Sequence, residues 1–233
     1  MTTQEQVERE FYGRALAKTK EGPASTGYGL PVNQRMRFDM WAHQIEPCAV
    51  PNTETVLDVG SGTGDLLAYM DEVRIKPYRY LGVDIMSQMT DTAQKRWGGR
   101  DGVQFRTLDV ARAEEWPWHQ LHETQFDHVV SIAAYALKAP DDSQQENIAY
   151  VQDSIESMVS IANKTVFVTL FSTWKTNIIP EEMVLDPVTM FAWAKSKWER
   201  VDLIHSYCPF DFSLAIHLEK SDWRKAWEAR SDD

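Results

Sequence analysis

The stretch Val56-Leu57-Asp58-Val59-Gly60-Ser61-Gly62-Thr63-Gly64-Asp65 decides how this chain is read. Val56, Leu57 and Val59 make a short apolar strand, and Gly60, Gly62 and Gly64 alternate directly after it. Asp65 then opens a helical segment. A strand-to-helix turn without side chains lets a ligand lie on the backbone. The dinucleotide fingerprint needs a small residue where Asp65 stands, so a nicotinamide oxidoreductase is disfavoured. Asp58, at the strand end, can reach a ligand ammonium, whereas a phosphate would be repelled by Asp58 and Asp65. The turn therefore suits a ligand that brings positive charge. The same alternation is also compatible with a tight turn and nothing more, and the flanking sequence has to decide.

Outward from this turn, strands and helices alternate. Strands are predicted over 55–60, 79–84, 103–108, 126–132 and 164–171, and helices over 65–73, 87–97, 143–162 and 187–195. Two last strands, 200–205 and 212–218, share a short Pro-containing link and read as an antiparallel hairpin. Before the turn, 4–19 reads as a polar helix and 21–31, with three Gly and two Pro, as a loop. A helix over 33–45 follows, carrying an apolar stripe of Phe38, Trp41 and Ile45, and residues 221–230 read as a short final helix. Alternation of this kind implies parallel βαβ units with right-handed crossovers. Ligands in such sheets bind at the carboxyl ends of the strands.

Two further carboxylates stand at such ends. Asp84 closes the second strand, twenty residues past Gly64, where it can accept both hydroxyls of a ribose or simply cap the next helix. Asp109 closes the third, placed to accept an adenine amino group, with Ile85 and Val110 flanking the ring.

Composition narrows the classes. The 233 residues carry 24 Lys and Arg against 35 Asp and Glu, a net charge of −11, with 43% hydrophobic residues. A disordered or collagen-like chain is excluded, and a polyanion binder working through bulk charge is disfavoured. The longest apolar stretches, such as Val166 to Phe171, are too short for a bilayer, and no secretory pattern opens the chain. Cys48 and Cys208 could form at most one bridge and read as reduced thiols of a cytoplasmic protein. The six His residues show no metal-ligand spacing, so no metal is expected.

With these residues in place the chain resembles the class I S-adenosylmethionine-dependent methyltransferases. Asp58 through Gly64, Asp84, Asp109-Val110 and Phe126-Asp127-His128-Val129-Val130 carry the resemblance, over about residues 50–172. The flanks look like a bacterial and phage branch of uncertain acceptor. Its Gln-x-x-Arg-Phe segment corresponds to Gln34-Arg35-Met36-Arg37-Phe38, and its terminal strand pair to Tyr207-Cys208-Pro209-Phe210-Asp211-Phe212. Where that branch has a Ser-Gly turn after the fourth strand, this chain has Ser131-Ile132-Ala133-Ala134-Tyr135.

The resemblance implies an α/β, Rossmann-like three-layer sandwich with a mostly parallel seven-stranded sheet and an antiparallel last strand. It implies S-adenosylmethionine as cofactor and S-adenosylhomocysteine as product. The expected organisation is an N-terminal cap or lid over 1–50, a methyltransferase core over 51–220 and a helical tail over 221–233. The implied cofactor residues are Gln34, Arg37, Asp58, Gly60, Ser61 and Gly62, then Gly64, Asp84, Ile85, Asp109, Val110 and Ala133. Gln34 and Arg37 share a helix face, from which Arg37 can clamp the methionine carboxylate or pair with a neighbouring acid such as Asp39 or Glu46.

The expected reaction is methyl transfer to an oxygen or nitrogen of a small-molecule acceptor. The alternatives are a nucleic-acid or protein methyltransferase, and a non-catalytic sensor or partner protein that only binds the cofactor. Acceptor-side groups are sought among Tyr12, Tyr28, Tyr135, His205, Tyr207 and Asp211, with His205, Tyr207 and Tyr135 as the candidates for proton transfer. Trp116, Trp118 and Trp174 fall in loops where they can wall an aromatic pocket or merely pack. Arg96, Arg100, Arg106 and Arg112 are the residues from which a basic groove would have to be built. The chain is expected to be a monomer or a homodimer.

Overall fold

The computed structural model describes residues 6, 10–15, 17, 31–45, 53–121, 123–138 and 143–219. The expected loop over 21–30, the tail helix, Tyr28, Cys48, His122, Trp223 and Trp227 lie outside them. Residues 10–15 are helical, within the expected first helix.

Helix α1 (Pro31–Ile45) begins at Pro31, inside the stretch expected to be loop. Proline suits a first helical turn, where its missing N–H is not needed. Then follow β1 (Thr55–Val59), α2 (Asp65–Glu72), β2 (Arg79–Asp84), α3 (Ser87–Trp97) and β3 (Val103–Thr107). A 3-10 segment (Val110–Glu115) and the short α4 (Trp118–Leu121) lead to β4 (Phe126–Ile132). The remaining elements are α5 (Gln144–Ser160), β5 (Ala162–Ser172), β6 (Val184–Leu185), α6 (Pro187–Lys197), β7 (Arg200–Ile204) and β8 (Asp211–His217). A reciprocal capping box between Ser143 and Glu146 starts α5.

The sheet runs β3-β2-β1-β4-β5-β8-β7, with β6 paired to the end of β5. Strands β1 to β6 pair in parallel, and β8 is antiparallel to both of its neighbours, β5 and β7. The sheet thus has eight strands where seven were expected. The extra one, β6, pairs only two residues with Phe171 and Ser172 and is too short to leave a period in the sequence.

The unbroken apolar character of the central strands is explained by burial on both faces. Leu57, Val129, Val166 and Val168 belong to one apolar cluster together with Ile155 and Met158 of α5. Their neighbours Val56, Val130 and Phe167 belong to a second cluster with Phe38 and Trp41 of α1 and Leu66 and Met70 of α2. The two-residue period splits each strand between the layers. The result is a helix–sheet–helix sandwich whose strand ends β1 to β4 open on one side.

Candidate active site

At the carboxyl ends of β1 to β4, with residues of α1 along one side, lies a cavity of about 910 Å³, open solvent included. Its wall contains the glycine turn, Asp84 and Ile85 after β2, Asp109 and Val110 after β3, and Ala133 to Tyr135 after β4. Four strand ends therefore converge on one space, as the topology dictates.

The turn is fixed from beneath and from both sides. The backbone N–H groups of Gly60 and Ser61 both donate to Val83 O, at 2.8 and 2.9 Å. Gly60 and Gly64 adopt φ of +73° and +80°. A Cβ on Gly60 would stand 2.4 Å from the Ala134 Cβ, so the turns after β1 and β4 touch there. A Cβ on Gly64 would stand 2.7 Å from Trp97 Cδ1, because the end of α3 packs under the turn. Trp97 Nε1 also donates to Thr63 O at 3.3 Å.

The carboxylates differ in role. Asp84 accepts the Gly62 N–H on one oxygen, at 3.0 Å, and the Met86 N–H on the other, at 2.8 Å. Each oxygen keeps a lone pair for a further donor. Burial pushes this carboxyl up to about 6, against the pull of those two N–H groups. Asp58 sits deeper and accepts the Tyr80 hydroxyl. Burial raises it to about 7, opposed by the Tyr80 bond and assisted by the negative Asp84 and Asp65 nearby.

Asp65 itself is compensated, which the sequence did not reveal. Arg96 Nη1 reaches it at 2.6 Å, and Gln34 Nε2 donates to it from α1 at 3.4 Å. Asp109 caps the 3-10 segment by accepting the Ala111 N–H at 3.0 Å. Ala133 holds φ +58°, a left-handed conformation. For an alanine this costs about 1–2 kcal/mol. The buried Ser61 Oγ, in the cavity wall, has no hydrogen-bond partner.

Of the expected cofactor residues, Gln34, Asp58, Gly60, Ser61, Gly62, Asp84, Ile85, Asp109, Val110 and Ala133 all line the cavity. Gly64 stands behind the turn, against Trp97. Arg37 is not in the wall: its guanidinium is buried and paired with Asp211 at the start of β8.

Among the acceptor-side candidates, Tyr135 and Tyr12 line the cavity, while His205 and Tyr207 do not. His205 Nε2 bonds Ser172 Oγ at 3.1 Å, and its ring packs on Trp174, 4.9 Å between centroids. Tyr207 bonds Ser213 Oγ at 2.9 Å, and burial pushes its phenol well above the usual value. Trp116 is buried in the core with its Nε1 on Asp109 O, whereas Trp174 is 55% exposed. Phe38, Met86, Met89 and Tyr150 are wall residues that the sequence did not single out. Phe38 read as core stripe, and the others carry no spacing signal.

Arg96, Arg100 and Arg112 each face a carboxylate, of Asp65, Asp71 and Glu115 respectively. Among the described residues no three His, Cys, Asp or Glu side chains are grouped as a metal site would need, and no helix is long and apolar enough to cross a membrane. Cys208 is a free, buried thiol.

Residues 56–157 match the model of a family described as a methyltransferase domain. No curated protein matches the chain. Among solved structures, magnesium protoporphyrin IX methyltransferase (ChlM) from Synechocystis PCC 6803 with bound SAM aligns over 94% of this chain and 98% of its own, at 14% identity and a TM-score of 0.63. The N-methyltransferase NodS from Bradyrhizobium japonicum WM9, in complex with S-adenosyl-L-homocysteine, aligns over 91% and 98%, at 12% identity and a TM-score of 0.57. A SAM-dependent methyltransferase from Aquifex aeolicus aligns over 80% and 93%, at 14% and 0.55. At such identities the likeness to these structures is one of fold. The family match runs from the glycine turn to α5, and nearly the whole chain shares its fold with these methyltransferases.

Proposed function

We propose that the chain moves the methyl group of S-adenosylmethionine to an oxygen or nitrogen of a small-molecule acceptor by in-line displacement. The carrying observation is the cavity wall itself, in which the glycine turn, Asp84 and Asp109 face one space. The residues present fit the cofactor. Asp84 is oriented by two backbone N–H groups and retains lone pairs for the ribose hydroxyls. Ser61 Oγ is a buried hydroxyl awaiting a partner. Asp109, with Ile85 and Val110 beside it, offers an acceptor and apolar walls for adenine.

When bound, the cofactor supplies a sulfonium methyl that needs no further activation. The protein's work is then to hold the acceptor about 3–3.5 Å from the methyl carbon, in line with the breaking bond. Tyr12, Tyr135 and Tyr150 form an aromatic side of the wall suited to that positioning. Tyr135 is the candidate to take a proton where the acceptor must lose one. A small acceptor is favoured over a nucleic acid because three of the four arginines near β3 already face carboxylates.

Calorimetry of S-adenosylmethionine and S-adenosylhomocysteine tests the cofactor assignment. The native chain is expected to bind both, and Asp84→Ala to bind each at least about tenfold more weakly, a loss of about 1.4 kcal/mol. Undiminished affinity in the variant removes the ribose assignment. Labelled cofactor offered with metabolite pools, tRNA and DNA tests the acceptor class. Transfer to RNA or DNA overturns the small-molecule reading, and transfer to nothing favours a binding sensor.

A further inference from the structure

We infer that Arg37 is a positioning residue for the cofactor cavity, acting through Asp211 rather than by touching the cofactor; this rests on the function proposed above. The wall on the α1 side is made by Gln34 and Phe38. Arg37 lies between them in sequence, three residues after Gln34, so the three share one broad side of the helix. Its Nε and Nη2 both reach the same oxygen of Asp211, each at 2.7 Å. The side chains are only 4% and 1% exposed. Asp211 pairs with Phe171 across the β5–β8 ladder, and the guanidinium also stands 5.6 Å from the centre of the Phe171 ring.

Helix α1 is also held to α2 by polar contacts, with Tyr69 donating to Asp39 at 2.8 Å and Arg35 reaching Glu72 at 2.6 Å, and by apolar burial. Phe38, Trp41, Ala42 and Ile45 sink into the cluster with Leu66, Leu67 and Met70. Apolar burial decides which face of a helix turns inward but, being non-directional, tolerates small rotations about that position. Two donors converging on one oxygen of a buried carboxylate restrict the direction from which the guanidinium can approach. The rotation of α1 decides whether Gln34 meets Asp65 at 3.4 Å and whether Phe38 faces the cavity. The buried Arg37–Asp211 pair ties α1 to β8 and so helps to set this rotation. Two segments far apart in the chain, the Gln-x-x-Arg-Phe helix and the Tyr-x-Pro-x-Asp-Phe strand start, thereby share one physical task.

The test pairs stability with affinity. Arg37→Met/Asp211→Leu removes both charges together and leaves no lone buried ion. Its melting temperature is expected to stay near native, while calorimetry with S-adenosylhomocysteine at 25 °C is expected to show at least tenfold weaker binding. Asp211→Asn, which leaves Arg37 in place, is expected to weaken binding as well. A direct clamp by Arg37 on the cofactor predicts no such loss. If the double variant does not fold, Arg37→Lys takes its place: a single ammonium keeps the charge but not the two converging donors, and at least threefold weaker binding is expected. Affinity within twofold of native in the folded double variant, or in Arg37→Lys, overturns the inference. A native chain that does not bind S-adenosylhomocysteine at all overturns the proposed function instead, and this inference with it.

Discussion

The contact between the turns after β1 and β4 can be tested by placing a methyl group in it. Gly60→Ala puts a Cβ 2.4 Å from the Ala134 Cβ and 3.3 Å from the Ala134 Cα. Carbon atoms in contact ordinarily sit about 3.5–4.0 Å apart, so one turn must move by roughly 1 Å. Such overpacking costs about 1–3 kcal/mol. The φ of +73° adds about 1–2 kcal/mol for any residue with a Cβ. The sum is about 2–5 kcal/mol, or a fall in melting temperature of roughly 4–20 °C for a chain of this size. Ala134→Gly removes the opposing methyl but not the φ cost. Gly60→Ala/Ala134→Gly is therefore expected to recover about 1–3 kcal/mol relative to additivity of the single variants. Urea melts of the four proteins measure this cycle. A Gly60→Ala protein within about 0.5 kcal/mol of native, or a double variant that is simply additive, refutes the contact.

Two further expectations concern charge. Asp58 and Asp84 are raised in the fold to about 7 and about 6, above their unfolded values. Groups raised in this way stabilise the fold below the unfolded value and lose that contribution as pH climbs through the folded one. Their share of stability thus falls between about pH 4 and 7, and Asp58→Asn should flatten the melting temperature of the unliganded chain over that window; an unchanged slope in the variant counts against the assignment. At the opposite end of the strands, Glu54 accepts from both His128 and Lys164, and those bonds hold it below its usual value in spite of burial. Glu54→Gln should cost about 3 kcal/mol by breaking this buried set, lowering the melting temperature while leaving S-adenosylhomocysteine affinity intact; a change in affinity with stability unaltered would contradict it.

Most of the fold was legible because its signals are local. The apolar runs at 55–60, 126–132 and 164–171 became β1, β4 and β5, and Asp84 and Asp109 were readable because topology places strand-end carboxylates in the cavity. What stayed hidden depends on distance in the chain. The partner of Arg37 lies 174 residues away, and no helical or strand period links the two. The ion pair that neutralises Asp65 needs Arg96, which is 31 residues off and on the next helix. Tyr150 and Met89 enter the wall through the way α5 and α3 lie on the sheet. The two-residue β6 falls below the length at which alternation can be recognised.

The position of β8 between β5 and β7 has a consequence for the order of assembly. Strands β1 to β4 can pair as soon as they are made, since each finds its partners among earlier or adjacent segments. The long outer edge of β5 is covered by Asp211–His217, which leaves the ribosome about forty residues after Ser172. Until then a row of unpaired N–H and C=O groups is exposed, the kind of edge that invites pairing with another chain. The same late strand delivers Asp211 to α1, which precedes the glycine turn in the chain. A chain interrupted before residue 211 would therefore carry the whole glycine turn yet lack the anchor of its cavity wall.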